Sequence, residues 1–218
     1  MNKPQITIKD IARALGVSPS TVSRALKDNP DISQETREAI HKYAREHNYQ
    51  PNALALNLRT SRSNTIGVII PQFVHHFFSC VLSGIEEVAS KAGYNILVAQ
   101  SNERYDQEVK IVRSFLAARV CGVTSSLAKD TVRYDHYQEL LDNNIPIVFY
   151  DRICTGVNTE RVVVDDYAGS FAAVEYMIQT GCKRILFYSS PPHMEISKNR
   201  RNGYLDAMRK YKIPVSDD

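Results

Sequence analysis

Thr7-Ile8-Lys9-Asp10-Ile11-Ala12-Arg13-Ala14-Leu15-Gly16-Val17-Ser18-Pro19-Ser20-Thr21-Val22-Ser23-Arg24-Ala25-Leu26 is the stretch that decides how the chain begins. Thr7 and Asp10 have the spacing of a capping box, in which each side chain takes the other's exposed amide. Ile8, Ile11, Ala12 and Leu15 then recur at helical spacing and form one apolar stripe. Gly16 ends that helix, because it reaches positive φ at little cost. Ser18 is a good N-cap and Pro19 suits the first helical position, so a second helix starts there. Its buried face is Val22, Ala25 and Leu26. Pro19, Ser20, Thr21, Ser23, Arg24 and Lys27 occupy the rest of its surface. Ser33 is placed to cap a third helix, with Ala39, Ile40, Tyr43 and Ala44 as its inner stripe. Two short helices joined at a glycine turn and backed by a third make a helix-turn-helix unit. In such a unit the second helix enters the major groove, its N-terminal residues leading.

The charge distribution agrees with a polyanion partner. The 218 residues carry 27 Lys and Arg against 24 Asp and Glu, net +3. Residues 1–65 hold ten basic and six acidic side chains, net +4, and the remainder seventeen against eighteen, net −1. A basic head on a near-neutral body is the asymmetry that nucleic-acid binding produces. Many small helical bundles are mildly basic without binding DNA, so the charge alone leaves both readings open. Small hydroxyls with Arg24 suit phosphates and base edges, and no acidic side chain precedes Asp28 on the second helix.

Hydrophobic residues at 43% and charged residues at 23% are ordinary for a folded globular chain. No apolar run approaches the roughly 18 residues of a spanning helix. The N-terminus lacks an apolar signal segment, so a cytoplasmic protein is expected. Cys80, Cys121, Cys154 and Cys182 are scattered, without the spacing of a zinc or redox motif. Reduced, mostly buried thiols are expected.

The opening run, with Thr36-Arg37 and Asn48-Tyr49-Gln50-Pro51-Asn52 downstream, resembles the head of LacI/GalR-family transcriptional regulators. The order of D-I-A, G-V-S, T-V-S-R and N-Y-x-P-N carries the likeness. It implies a DNA-contacting set of Thr7, Ser18, Pro19, Ser20, Thr21, Ser23, Arg24, Lys27, Ser33, Thr36, Tyr49, Asn52, Ala55 and Leu58. Within it, Arg24 would bond a guanine edge, and Thr7, Ser18, Thr21, Ser23 and Asn52 would anchor phosphates. Pro19 and Ser20 stand at the positions that read bases most specifically in that family. Pro19 lacks a polar side chain, so base choice there depends on Ser20, water or apolar contact with thymine methyls.

Residues 52–59 have high helix propensity but span about two turns, which is marginal for an isolated helix. The polar, basic run Arg59–Asn64 follows. The likeness implies a hinge that orders on operator DNA beside its dimer mate, with Leu58 wedged between base pairs. On residue physics alone, a plain linker helix with Leu54 and Leu58 packed on the body fits better.

Beyond the hinge, strands alternate with helices. Residues 66–70, 95–99, 121–124, 147–150, 161–164 and 184–188 read as strands. Helices are expected at 77–92, with Val81, Leu82, Ile85, Val88 and Ala89 inside, and at 105–118, with Val109, Val112, Phe115 and Leu116 inward. Further helices are expected at 134–143, 166–180 and 199–211. Repeated βα units imply an α/β fold, a doubly wound parallel sheet with helices on both faces. The expected organisation is a helix-turn-helix domain over 1–51, a hinge helix and linker over 52–65, a first lobe over 66–165 and a partial second lobe over 166–218. The second lobe is expected to be incomplete, with one strand and two helices, so that its apolar surface is exposed.

Ligands of such sheets sit at the strand carboxyl ends. Those ends carry Pro71-Gln72-Phe73, Ser101-Asn102, Ser125-Ser126, Asp151-Arg152 and Ser189-Ser190, a polar and aromatic mixture suited to a hydroxylated small molecule. No dinucleotide fingerprint or P-loop is present, and no nucleophile elbow or metal triad, so an enzyme is not expected. His75-His76 fit a loop better than a metal site, and no cofactor is expected. Here too the family likeness adds positions. Phe77-Phe78 resembles its N-P-F-F stretch, with His75-His76 replacing Asn-Pro; Asp151-Arg152 resembles its D-R; Val164-Asp165-Asp166-Tyr167 its V-x-x-D-D. Arg200-Arg201-Asn202-Gly203-Tyr204 resembles R-x-x-G-Y, whose first Arg commonly binds the effector. Tyr176 and Cys182 replace common histidines. The implied effector set is Gln72, Phe77, Phe78, Ser126, Asp151, Arg152 and Arg200.

The sequence therefore points to a sequence-specific DNA-binding regulator, expected to be a repressor and a homodimer on operator DNA. A small effector, a sugar or sugar derivative, would shift its body between states. The alternative is a sugar-binding module without DNA-linked regulation, against which the basic helical head argues.

Overall fold

The computed structural model describes residues 6–50 and 63–215. It divides into two compact units, with 6–50 in the first and 63–215 in the second.

The first unit holds α1 (Ile8–Leu15), α2 (Pro19–Ala25) and α3 (Gln34–Glu46). Each starts where a side chain supplies the missing acceptor for the first turn. The Asp10 amide donates to Thr7 Oγ1 at 3.3 Å and the Thr7 amide to Asp10 Oδ2 at 3.0 Å, closing the capping box. Gly16 ends α1 at φ 65°. Ser18 and Ser33 accept from the amides of Thr21 (3.1 Å) and Thr36 (3.3 Å). Ile11, Ala12, Val22, Ala25, Ile32, Ile40 and Ala44 fill the interior. Ala39 is exposed, contrary to expectation. It lies about 100° around α3 from Ile40, and adjacent helical residues do not share a face.

The second unit is built on a parallel sheet of β1 (Thr65–Ile70), β2 (Asn95–Gln100), β3 (Gly122–Ser125), β4 (Ile147–Tyr150) and β5 (Glu160–Val162) in the order β2-β1-β3-β4-β5. The connecting helices are α4 (His76–Lys91), α5 (Tyr105–Ala117) and α6 (Asp135–Asp142). Because successive strand residues face opposite sides, β1 feeds two cores. Ile69 packs with Val112, Phe115, Tyr137, Leu140 and Phe149 from α5, α6 and β4. Val68 and Ile70 pack with Phe78, Val81, Leu82 and Ile85 of α4. Gly67 makes room for α5, since a Cβ there would lie 2.4 Å from the Phe115 ring.

Val88 is exposed rather than inside α4. It sits about 90° around the helix from the centre of the Phe78–Leu82–Ile85–Ala89 stripe. Cys154 is buried, but Cys80 and Cys182 are exposed, which corrects the expectation of mostly buried thiols.

The chain continues as α7 (Asp166–Gln179) against α8 (Glu195–Lys210), packed through a separate core of Val174, Tyr204, Ala207 and Met208. The strand expected at 184–188 does not form. A strand is held by a paired neighbour, and among the described residues none lies beside this segment. Leu186 and Tyr188 are 85% and 95% exposed. β5 likewise ends at Val162, two residues early, because it pairs only with Val148–Tyr150 of β4. Val163 and Val164 leave the sheet exposed.

Candidate functional site

In the head, the physics of α2 separates two faces. Val22 and Ala25 are buried, which turns Pro19, Ser20, Arg24 and Lys27 outward, with Thr21 and Ser23 half-buried. At its start Ser18 Oγ lies 2.7 Å from Ser20 Oγ and 2.9 Å from Thr21 Oγ1, a tight group of three hydroxyls. Among the described residues no acceptor engages the Arg24 or Lys27 side chain, so both cations are available to an external anion. The first acid, Asp28, is turned toward α3, where His41 Nε2 sits 3.1 Å from its carboxylate and Arg37 Nη1 donates to its carbonyl. Thr7 donates its hydroxyl to Asp10 Oδ2 at 2.6 Å. This bond and the Thr7 amide's bond to the same oxygen commit Thr7 to the helix cap. They also hold the Asp10 carboxyl below its ordinary range, the side-chain bond first and then the backbone one. Ser33 and Thr36 are bonded to each other at the start of α3 (2.8 Å). Tyr49 packs half-buried against the head's interior, and burial raises its phenol. The expected hinge contacts Asn52, Ala55 and Leu58 lie outside the described residues.

In the body, a cleft of about 640 Å³ opens at the carboxyl ends of the strands. Five of the seven expected effector residues line it: Phe77, Phe78, Asp151, Arg152 and Arg200. Gln72 and Ser126 are not in its wall; Ser126 is fully buried behind it. Phe77 and Phe78 meet edge to face at 5.3 Å, and the Arg152 guanidinium lies 5.4 Å over the Phe78 ring. Asp151, at φ 56°, brings its carboxylate within 3.8 Å of Arg152 Nε. Burial pushes the Asp151 carboxyl up, and Asp166 and Glu103 add to it against the pull of Arg152 and Arg200. Arg200 Nε donates to Asp166 Oδ1 at 2.7 Å across α7 and α8.

Sequence reasoning missed Lys129, Tyr188 and His75-His76 in the lining. It also missed the carboxylates that hold the wall from behind. Glu108 of α5 is fully buried and accepts from the Ala128 amide (2.7 Å), Thr131 Oγ1 (2.7 Å) and His136 Nε2 (3.0 Å). Those bonds fix the loop bearing Lys129, whose carbonyl receives His193 Nε2, from the segment before α8, at 2.8 Å. An acid inside an otherwise amphipathic helix gives no pattern to read. Among the described residues, no three His, Cys, Asp or Glu side chains converge as metal ligands, and no helix is long and apolar enough to cross a membrane.

A helix-turn-helix head ahead of a doubly wound parallel-sheet body, with a cleft at the strand ends, defines the class. Residues 7–52 match the bacterial regulatory proteins of the lacI family, and residues 63–218 the periplasmic binding proteins and sugar-binding domain of the LacI family. The chain belongs to the LacI family. It is 31% identical over 213 residues to catabolite control protein A of Priestia megaterium, covering 97% of this chain and 64% of that protein. It is 31% identical over 207 residues to the ribose operon repressor of Bacillus subtilis, covering 95% and 61%. The chain thus spans less than two thirds of either relative's length. The crystal structure of the Lac repressor dimer bound to operator and the anti-inducer ONPF shares the fold, at TM-score 0.80 and 23% identity over 96% of this chain and 63% of that one.

Proposed function

We propose that this chain is a sequence-specific DNA-binding regulator of transcription, a cytoplasmic repressor working as a homodimer on operator DNA and controlled by a sugar or sugar derivative. The observation that carries the reading is the outward face of α2. Arg24 and Lys27 stand exposed there, engaged by no acceptor among the described residues, beside the Ser18–Ser20–Thr21 hydroxyls and opposite the buried Val22 and Ala25. A short helix held by its inner face and lined outside with exposed cations and small donors suits insertion between phosphate ridges. Arg24 bonds a guanine edge, while Ser18, Thr21 and Ser23 take phosphates. Relatives named as an operon repressor and a catabolite control protein support the regulatory role. The cleft's paired aromatic rings and forked Arg and Asp groups suit a ring with hydroxyls, which the body would convert into a changed grip on DNA.

The test is selection of bound duplexes from a randomised library by the wild-type chain and by Arg24→Ala. The variant should lose about 1–3 kcal/mol on the selected site and relax its preference at one base position. Equal loss on selected and random duplexes would refute the base-reading role. Titration of the complex with a sugar panel tests the effector half.

A further inference from the structure

We propose that Glu103 is a positioning and specificity-determining residue, holding Arg152 and Lys129 so that the cleft takes an uncharged, hydroxyl-rich ligand and refuses phosphorylated or carboxylated ones. The proposal rests on reading the cleft as the effector site and goes beyond it, to the ligand's charge.

Three cations face the cleft: Lys129, Arg152 and Arg200. Each already has a carboxylate. Arg152 Nη1 donates to both Glu103 oxygens, at 2.8 and 2.7 Å, and the two side chains are each only 14% exposed. Lys129 donates its amide to Glu103 Oε2 at 2.9 Å and brings Nζ within 3.9 Å of Oε1. Arg200 is taken by Asp166. Asp151 adds a third carboxylate in the wall itself. The formal charges of Lys129, Arg152 and Arg200 against Glu103, Asp151 and Asp166 therefore cancel.

The chain bends sharply to place Glu103. Asn102 and Glu103 stand at φ 54° and 60°, two successive left-handed residues that are not glycine. Asn visits that region readily, but a glutamate there is uncommon and costs free energy unless its surroundings hold it. Here the bonds from Glu103 to the β4 end and to the Lys129 loop supply the constraint. An incoming phosphate would have to strip a sheltered guanidinium from its carboxylate and then lie close to that acid, so it loses more than it gains. A hydroxyl needs only the remaining donors and acceptors. The Phe77 and Phe78 rings serve the apolar faces of such a molecule.

The test is calorimetric titration of the chain with inorganic phosphate and with glucose 6-phosphate, against chloride at the same ionic strength. The wild-type chain should bind neither better than chloride. Glu103→Gln keeps the shape and removes the charge, so it should bind both at least about tenfold more tightly than wild type. That gain should shrink with added salt, and Glu103→Gln/Arg152→Gln should abolish it. A merely structural role for Glu103 would not create affinity for anions. Asp166→Asn frees the more exposed Arg200, and should gain phosphate binding by the same logic if Glu103→Gln fails to fold. Phosphate binding by the wild-type chain overturns the proposal, as does a folded Glu103→Gln that gains none. DNA retention, scored on the same samples, separates the two claims. Its absence sinks the regulatory reading and leaves the phosphate comparison standing.

Discussion

Replacing Gly203 by alanine wedges apart α7 and α8. A Cβ at Gly203 would lie 2.4 Å from the Tyr167 carbonyl oxygen, 2.9 Å from the Phe171 amide nitrogen and 3.0 Å from Ser170 Cβ. Ordinary contact begins near 3.4 Å, so α8 must retreat from α7 by about 1 Å. Overpacking of this kind costs about 1–3 kcal/mol, and backbone atoms that cannot rotate away put it near the top of that range. Alanine's better helix propensity returns about 1 kcal/mol. The net loss is about 2 kcal/mol, which lowers the body's Tm by about 4–8 °C for a unit of this size. The same movement reaches the cleft. Ser170 Oγ donates to the Arg200 carbonyl at 2.7 Å, and Arg200 holds Asp166, one helical turn from Gly203. Sugar binding should therefore weaken while the head, a separate unit, keeps its DNA affinity. Differential scanning calorimetry with DNA retention on the same sample reads both. An unchanged body Tm would show that the helices do not approach as described.

Thr7→Ala removes the acceptor of the α1 cap and should cost the head about 1 kcal/mol, measured by chemical denaturation of its helical signal. The Asp10 carboxyl is held down in the folded head, so its contribution is complete above the ordinary carboxylate value of 3.8 and lost as pH falls through the folded value; Asp10→Asn should flatten that acid limb. Asp151 is shifted the other way, by burial. Its ionised form burdens the fold at neutral pH, so Asp151→Asn should raise the body Tm at pH 7 and lose that advantage in acid, where the wild-type carboxyl is protonated. Phe115→Ala empties a side chain that is 2% exposed between α5 and β1 and should cost about 3–5 kcal/mol by urea denaturation.

The features legible in the sequence were those written in local chemistry. Thr7 with Asp10, Gly16, Ser18-Pro19 and Ser33 mark helix ends by hydrogen bonds or backbone freedom confined to a few residues, and the structure uses each of them so. α8 was harder. It begins at Glu195, four residues before the expected start, because its N-cap is Met194, which offers no side-chain acceptor to recognise. The 184–188 segment has a strand's composition, but pairing depends on a neighbour that its own residues do not specify. The cleft was legible where side chains follow the strand ends, as at Asp151-Arg152. It was hidden where chain geometry decides. Nothing about Glu103 announces a left-handed turn, and its bonds to Arg152 and Lys129 span 49 and 26 residues.

The most direct measurement is an NMR titration of the isotope-labelled chain with a duplex carrying its selected site, at low and then rising salt. Amide shifts concentrated on residues 18–27, with the Arg24 guanidinium signal moving and the effect fading as salt competes for the phosphates, are what this account predicts. Amides of the head that stay still at low ionic strength, or shifts confined to the body, would contradict it.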